Sequence, residues 1–182
     1  MNKKKDLPLK DIFNLGLKNH KNNNLQDAKN YYKKTLEIDP NHLWALNNLG
    51  VIFLSQDKSQ EAESYFKKII EINSNFIDAH YNLGAVFSEQ EAFHKAKSCY
   101  EKAIEINPNA PAVHNNLGVV LSKLKDYEKA KNSYEKAIEL DPNHLGAHNN
   151  LGAIFKTQGE LQKAETCFKK AIKLNPKYVA AH

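Results

Sequence analysis

The sequence predicts an all-α solenoid of five helix-turn-helix repeats, each 34 residues long. Three observations carry this reading. First, Asn-Leu-Gly or a near copy ends at Gly16, Gly50, Gly84, Gly118 and Gly152, a constant step of 34. Second, other residue types keep the same step: Ala28, Ala62, Ala96, Ala130 and Ala164, then the aromatics Tyr32, Phe66, Tyr100, Tyr134 and Phe168. Third, a turn-forming residue closes every copy, at Pro40, Ser74, Pro108, Pro142 and Pro176. Such a chain buries each repeat's apolar face on its neighbours rather than around one centre.

Residues 1–8 read as a polar lead-in, with Pro8 suited to the entry of a first helix. The repeats then span 9–42, 43–76, 77–110, 111–144 and 145–178, and residues 179–182 begin an incomplete sixth. The third repeat shows the pattern best. His80, Leu83, Gly84 and Phe87 share one helical face, and Ala96, Cys99, Tyr100, Ala103 and Ile104 share another. Small Gly84 and Ala96 let the two helices approach as an antiparallel hairpin, with Phe87 and Tyr100 filling the wedge. Asn107-Pro108-Asn109 ends the second helix, as Asp39-Pro40-Asn41, Asp141-Pro142-Asn143 and Asn175-Pro176-Lys177 do elsewhere. The second repeat has Asn73-Ser74-Asn75 instead.

With these residues the chain resembles the tetratricopeptide repeat family over about residues 9–178. The resemblance implies a right-handed superhelix whose first helices line a concave groove. Local departures fall at packing positions. Asn19 stands where Phe53, Phe87, Leu121 and Phe155 stand; Thr35 and Ile69 replace the small Ala103, Ala137 and Ala171; Ser59 replaces Leu25, Phe93, Tyr127 and Leu161. Asn19 and His20 also suit a polar N-terminal end.

The outward stripe of each first helix lies nearly opposite its packed face, at about 100° per residue. It reads Lys10, Asn14, Leu17, Lys21; Trp44, Asn48, Val51, Ser55; Asp78, Asn82, Ala85, Glu89; Ala112, Asn116, Val119, Lys123; and Gly146, Asn150, Ala153, Thr157. The constant member is Asn14, Asn48, Asn82, Asn116 and Asn150. Asn is a poor helix-interior residue, so helix stability does not explain it. Its amide offers both a donor and an acceptor, which suits a peptide backbone. Inheritance from a duplicated ancestor, a bond within its own helix or a bridge between repeats would also account for it. The arrangement is similar to the asparagine-lined groove in the tetratricopeptide arm of O-GlcNAc transferase, especially at Ala147–Gly152. Asn47, Asn115 and Asn149, nearer the core, are secondary candidates. Trp44 reads as an anchor for a ligand or as packing against the next repeat. Val51, Tyr81 and Val119 complete the expected contact set.

Other columns read as structural. His80, His114, His148 and His182 lie on the packed stripe, about 10 Å apart, too far for one zinc ion. Lys34, Lys68, Lys102, Lys136 and Lys170 interleave with Glu37, Glu71, Glu105 and Glu139 as a solvated face. Cys99 and Cys167, two repeats apart, are too distant for a disulfide and read as half-buried thiols. The family's carboxylate clamp is absent as a set, because Phe13, Leu17, Asn47, Val51, Tyr81 and Ala85 fill its places.

Composition excludes further classes. The net charge is +5, and all 26 basic residues are Lys. Without Arg there is no bidentate fork for phosphate or guanine, so nucleic acid is not an expected partner. No apolar run reaches the roughly 18 residues of a membrane span, and no signal peptide opens the sequence, so the expected compartment is the cytoplasm. Neither a phosphate-cradling loop nor a nucleophile with a placed base is present, and no cofactor or metal is implied.

The expected function is a non-catalytic protein–protein interaction module that holds an extended peptide segment in its groove. Two other classes stay open. One is the recognition arm of a larger enzyme, such as a glycosyltransferase, continuing beyond His182. The other is a scaffold that assembles with copies of itself through an uncovered C-terminal end, where Ala164, Phe168, Ala171 and Ile172 would lack a neighbour.

Overall fold

The computed structural model describes residues 7–176, so the incomplete sixth repeat and His182 lie outside the described residues. Among these residues there are ten α-helices and no strand. They are α1 (Leu9–Lys21), α2 (Leu25–Ile38), α3 (Leu43–Leu54), α4 (Ser59–Ile72), α5 (Ile77–Glu89), α6 (Phe93–Ile106), α7 (Pro111–Lys123), α8 (Tyr127–Leu140), α9 (Leu145–Thr157) and α10 (Leu161–Leu174). The chain divides into two compact units, Met1–Val86 and Phe87–His182, with the boundary inside α5.

In the first unit α1 packs on α2, α2 on α3 and α3 on α4. Ala28, Tyr32, Ala45, Leu49 and Ile52 form its core, with Phe13, Leu25, Leu36, Phe53 and Tyr65 packed around them. In the second unit the pairs are α6 with α7, α7 with α8, α8 with α9, and α9 with α10. Burial within each hairpin depends on a missing side chain. A Cβ at Gly16, Gly50 or Gly118 would lie 2.6 Å from the ring of Tyr32, Phe66 or Tyr134, and one at Gly152 would lie 2.7 Å from Phe168. Glycine is thus required here for approach, not for backbone freedom.

The packing departures read from the sequence are absorbed. Thr35 is fully buried, and its hydroxyl donates to the Tyr31 carbonyl at 3.0 Å. Ile69 is also fully buried. Asn19 and His20 are half-buried: Asn19 Nδ2 donates to the Leu15 carbonyl of its own helix at 2.8 Å, and His20 Nδ1 lies 3.3 Å from the Tyr32 hydroxyl. Burial lowers the His20 pKa and pushes that of Tyr32 up to about 12.

Two turns recur. The turn inside each repeat places one residue in the left-handed region: Asn23 (φ 60°), Asp57 (58°), Glu91 (57°), Lys125 (63°) and Gly159 (79°). The turn between repeats is held by a side-chain oxygen that accepts from the backbone two residues on. Asp39 binds Asn41 N at 3.1 Å, Asn73 binds Asn75 N at 3.0 Å, and Asn107 and Asp141 bind Asn109 and Asn143 likewise. This Asx geometry explains why Ser74 can replace proline without loss of the turn.

Candidate functional site

The site is built on the outward faces of the first helices, and each unit carries its own set. Their placement follows from what fixes the start of each helix. His80 Nε2 donates to the Ser74 carbonyl at 2.8 Å, His114 Nε2 to Pro108 at 2.9 Å and His148 Nε2 to Pro142 at 3.0 Å. These three histidines thus tie α5, α7 and α9 to the turn before them, with Nε2 as the donor, whereas α1 and α3 carry Ile12 and Leu46 at that place. His42 and His144 add N-caps: their Nδ1 atoms accept from Ala45 N at 3.2 Å and Ala147 N at 3.1 Å. These caps satisfy otherwise orphaned amides at the helix start.

In the first unit, Asn14 on α1 is exposed and Asn48 on α3 is half-buried. Among the described residues no hydrogen bond holds either side chain. Asn82 on α5 differs, because its Nδ2 donates to Asn47 Oδ1 at 3.0 Å. Asn47 itself is 7% exposed. In the second unit the same bridge recurs: Asn150 Nδ2 donates to Asn115 Oδ1 at 3.1 Å, and Asn115 Nδ2 donates to Asn116 Oδ1 at 3.1 Å. Asn149 Oδ1 is buried with no donor among the described residues.

The five asparagines are therefore not chemically alike. A bridge forms where the preceding repeat carries an Asn one position before its ladder residue, as at Asn47 and Asn115. The first repeat has Phe13 at that place, so Asn48 has no such partner. Phe13 instead packs its ring on His42, with centroids 4.6 Å apart. The Asn-Asn pairs at 47–48, 115–116 and 149–150 were the available signal in the sequence, but it required comparing residues 35 apart.

The apolar members are placed as follows. Trp44 opens α3, remains 52% exposed, and sets its ring edge-on to Phe76 at 5.0 Å. It packs on the last residue of its own repeat and remains open to solvent on its other side. Val51, Tyr81 and Val119 are half-buried on their helices, and Leu17 is 40% exposed. In the second unit the places equivalent to Trp44 hold Ala112 and Gly146, so no aromatic ring stands there.

The lysine column lies on the second helices, where Lys102 pairs with Glu105 and Lys136 with Glu139, each at 2.8 Å. Cys99 and Cys167 are free and half-buried; burial pushes the Cys99 thiol up to about 11 and raises that of Cys167. Thiols held in that state are poor nucleophiles at neutral pH. Among the described residues, no group of three or more His, Cys, Asp or Glu side chains could hold a metal ion. No helix among them is long and apolar enough to cross a membrane.

Models of the tetratricopeptide repeat match residues 11–75, 77–110, 111–144 and 146–178. No curated protein matches the chain in sequence. Among solved structures, the chain is similar to the MamA protein at 25% identity and a TM-score of 0.78, covering 93% of this chain and 92% of that one. It is similar to YrrB, described as a tetratricopeptide protein with an unusual peptide-binding site, at 25% identity and a TM-score of 0.74, with 93% and 88% covered. Similarity to pilF of Pseudomonas aeruginosa, at 23% identity and a TM-score of 0.87 over 95% and 79% of the chains, concerns the fold.

Proposed function

The chain belongs to the tetratricopeptide repeat family, whose members bind protein partners, and from that premise we propose that it is a non-catalytic module holding an extended peptide segment against its first helices. The observation that carries the reading is the pair Asn14 and Asn48. Both offer amides without a partner among the described residues, on a face where Leu17, Trp44 and Val51 are open or half-open. An amide with free donor and acceptor capacity beside apolar surface can bind a peptide group while its neighbours cover the side chains. The peptide-binding site for which YrrB is described lends support by similarity of fold.

Asn116 and Asn150, with Val119, form the equivalent contact set of the second unit. Tyr81 and Asn82 complete that of the first. Asn82 and Asn150 have one amide hydrogen committed to the bridge. Each keeps its carbonyl oxygen and its second N–H for a ligand.

A paired pull-down from native lysate tests the reading. One bait is the unaltered chain, and the other carries Asn14→Ala and Asn48→Ala, which leave both amide bridges intact. Partners retained by the first and lost by the second are expected. Equal retention by a variant with an unchanged circular dichroism spectrum would move the binding surface elsewhere.

A further inference from the structure

Three consecutive repeats in the first unit carry different chemistry at one level of the outward face. The second residue of each first helix is Lys10 on α1, Trp44 on α3 and Asp78 on α5. Lys10 is exposed, Trp44 is 52% exposed and Asp78 is half-buried. Among the described residues, neither Lys10 nor Asp78 takes part in an ion pair. At the other ends of these helices Lys21, Ser55 and Glu89 keep the order of charges but put a small polar residue where Trp44 stands, so no apolar anchor fixes a register there.

The three residues are held in a row by contacts on either side. Phe13 of α1 meets His42 at the start of α3 with ring centroids 4.6 Å apart. Trp44 meets Phe76, two residues before Asp78, at 5.0 Å. Asn82 Nδ2 reaches Asn47 Oδ1 at 3.0 Å, which locks α5 beside α3. Neighbouring packed helices lie about 10 Å apart. An extended chain advances about 3.3 Å per residue, so one helix spacing corresponds to roughly three residues.

We propose that this row selects an extended peptide with a carboxylate, an apolar side chain and a cation at three-residue steps. The carboxylate pairs with Lys10, the apolar side chain covers the open side of Trp44 beside Phe76, and the cation pairs with Asp78. The proposal rests on the peptide-binding reading above and adds its sequence preference. It gives the ligand a register, because only the middle position is apolar. It also gives the ligand a direction, because a chain laid the other way brings like charges together. The side-chain amides of Asn14 and Asn48, one turn further along α1 and α3, grip the peptide backbone and supply affinity without side-chain preference. Specificity comes from the row. In the second unit Ala112 and Gly146 stand at this level, so that unit offers no equivalent discrimination.

Trp44 is the only tryptophan, so its fluorescence reports occupancy directly. The probes are four blocked seven-residue peptides with Leu at the centre and Ser elsewhere. Their ends carry Glu and Lys, Lys and Glu, two Glu, or two Lys. One mixed-charge peptide is expected to shift the Trp44 emission and to bind at least tenfold more tightly than either like-charged peptide at low salt. In the double variant Lys10→Glu/Asp78→Lys, the order of the two mixed peptides is expected to invert. A merely structural role for these residues would not invert it. Replacing the central Leu by Ala should abolish the shift.

Four peptides of equal affinity, or an order unchanged by the double variant, would overturn the proposal. So would the absence of any emission change at millimolar peptide. If the pull-down partners still depend on Asn14 and Asn48 in that case, the peptide-binding reading stands and only the charge-and-register preference falls. Circular dichroism of the double variant checks the fold, since Lys10 is exposed and Asp78 half-buried.

Discussion

At the scale of single residues, the chain shows which side chains are constrained and which are free. Gly118 is constrained: a methyl there would sit 2.6 Å from the ring of Tyr134, which is 2% exposed and has nowhere to move. Gly118→Ala is expected to cost roughly 1–3 kcal/mol, read from chemical denaturation. Lys125 shows the opposite, since it occupies φ 63° at a turn position where the last repeat has Gly159. A left-handed L residue costs roughly 1–2 kcal/mol, and glycine gives back part of that gain through its freer unfolded chain. Lys125→Gly should therefore stabilise the protein by about 0.5–1 kcal/mol. Tyr32 sets an alkaline limit. Its folded pKa, pushed up to about 12 by burial, exceeds the ordinary value of 10.0. Its contribution is complete below pH 10, declines as pH rises, and is lost through about pH 12, because the unfolded chain loses the phenolic proton first. The slope of stability against pH in that window should flatten in Tyr32→Phe.

At the scale of helices and hairpins, most of the architecture was legible because packing leaves a one-dimensional trace. A glycine on one helix and an aromatic sixteen residues later are two halves of one contact, as Gly50 and Phe66 show. Asx turns were legible from Asp and Asn at the helix ends. The helix starts were less so: His42 and His144 act as caps, a task for which Ser, Thr, Asp and Asn are the expected residues. The amide bridges were hidden for another reason. Asn47 and Asn115 looked secondary on a single helix, and their role exists only across two repeats. The bridge is itself testable. Asn115→Ala removes the acceptor of Asn150 and a donor to Asn116, and should cost about 1 kcal/mol. Asn150→Ala in the same background should add little, since the two share one bond. Additive losses in that double-mutant cycle would show that the bridge contributes nothing as a pair.

For the molecule as a whole, the repeat separates stability from recognition. Each hairpin is held by its glycine, its aromatic and its turn, so the outward positions are free to differ from repeat to repeat. The fold could be read from what is constant, whereas function resides in what varies: Lys10, Trp44 and Asp78 at one level, Ala112 and Gly146 at the same level further on. The ladder of asparagines was legible as a pattern, but its division into bridged and unbridged amides required the structure. The central claim is that the outward face of the first helices, and not the lysine-bearing face of the second, meets the partner. Site-specific photo-crosslinking in the native cell tests it most directly, with the photoreactive group placed at Val51 in one version and at Lys68 in another. The account predicts a discrete partner adduct from Val51 that disappears with Asn14→Ala/Asn48→Ala, and none from Lys68. The same adduct from Lys68, or one from Val51 that survives the two substitutions, would contradict it.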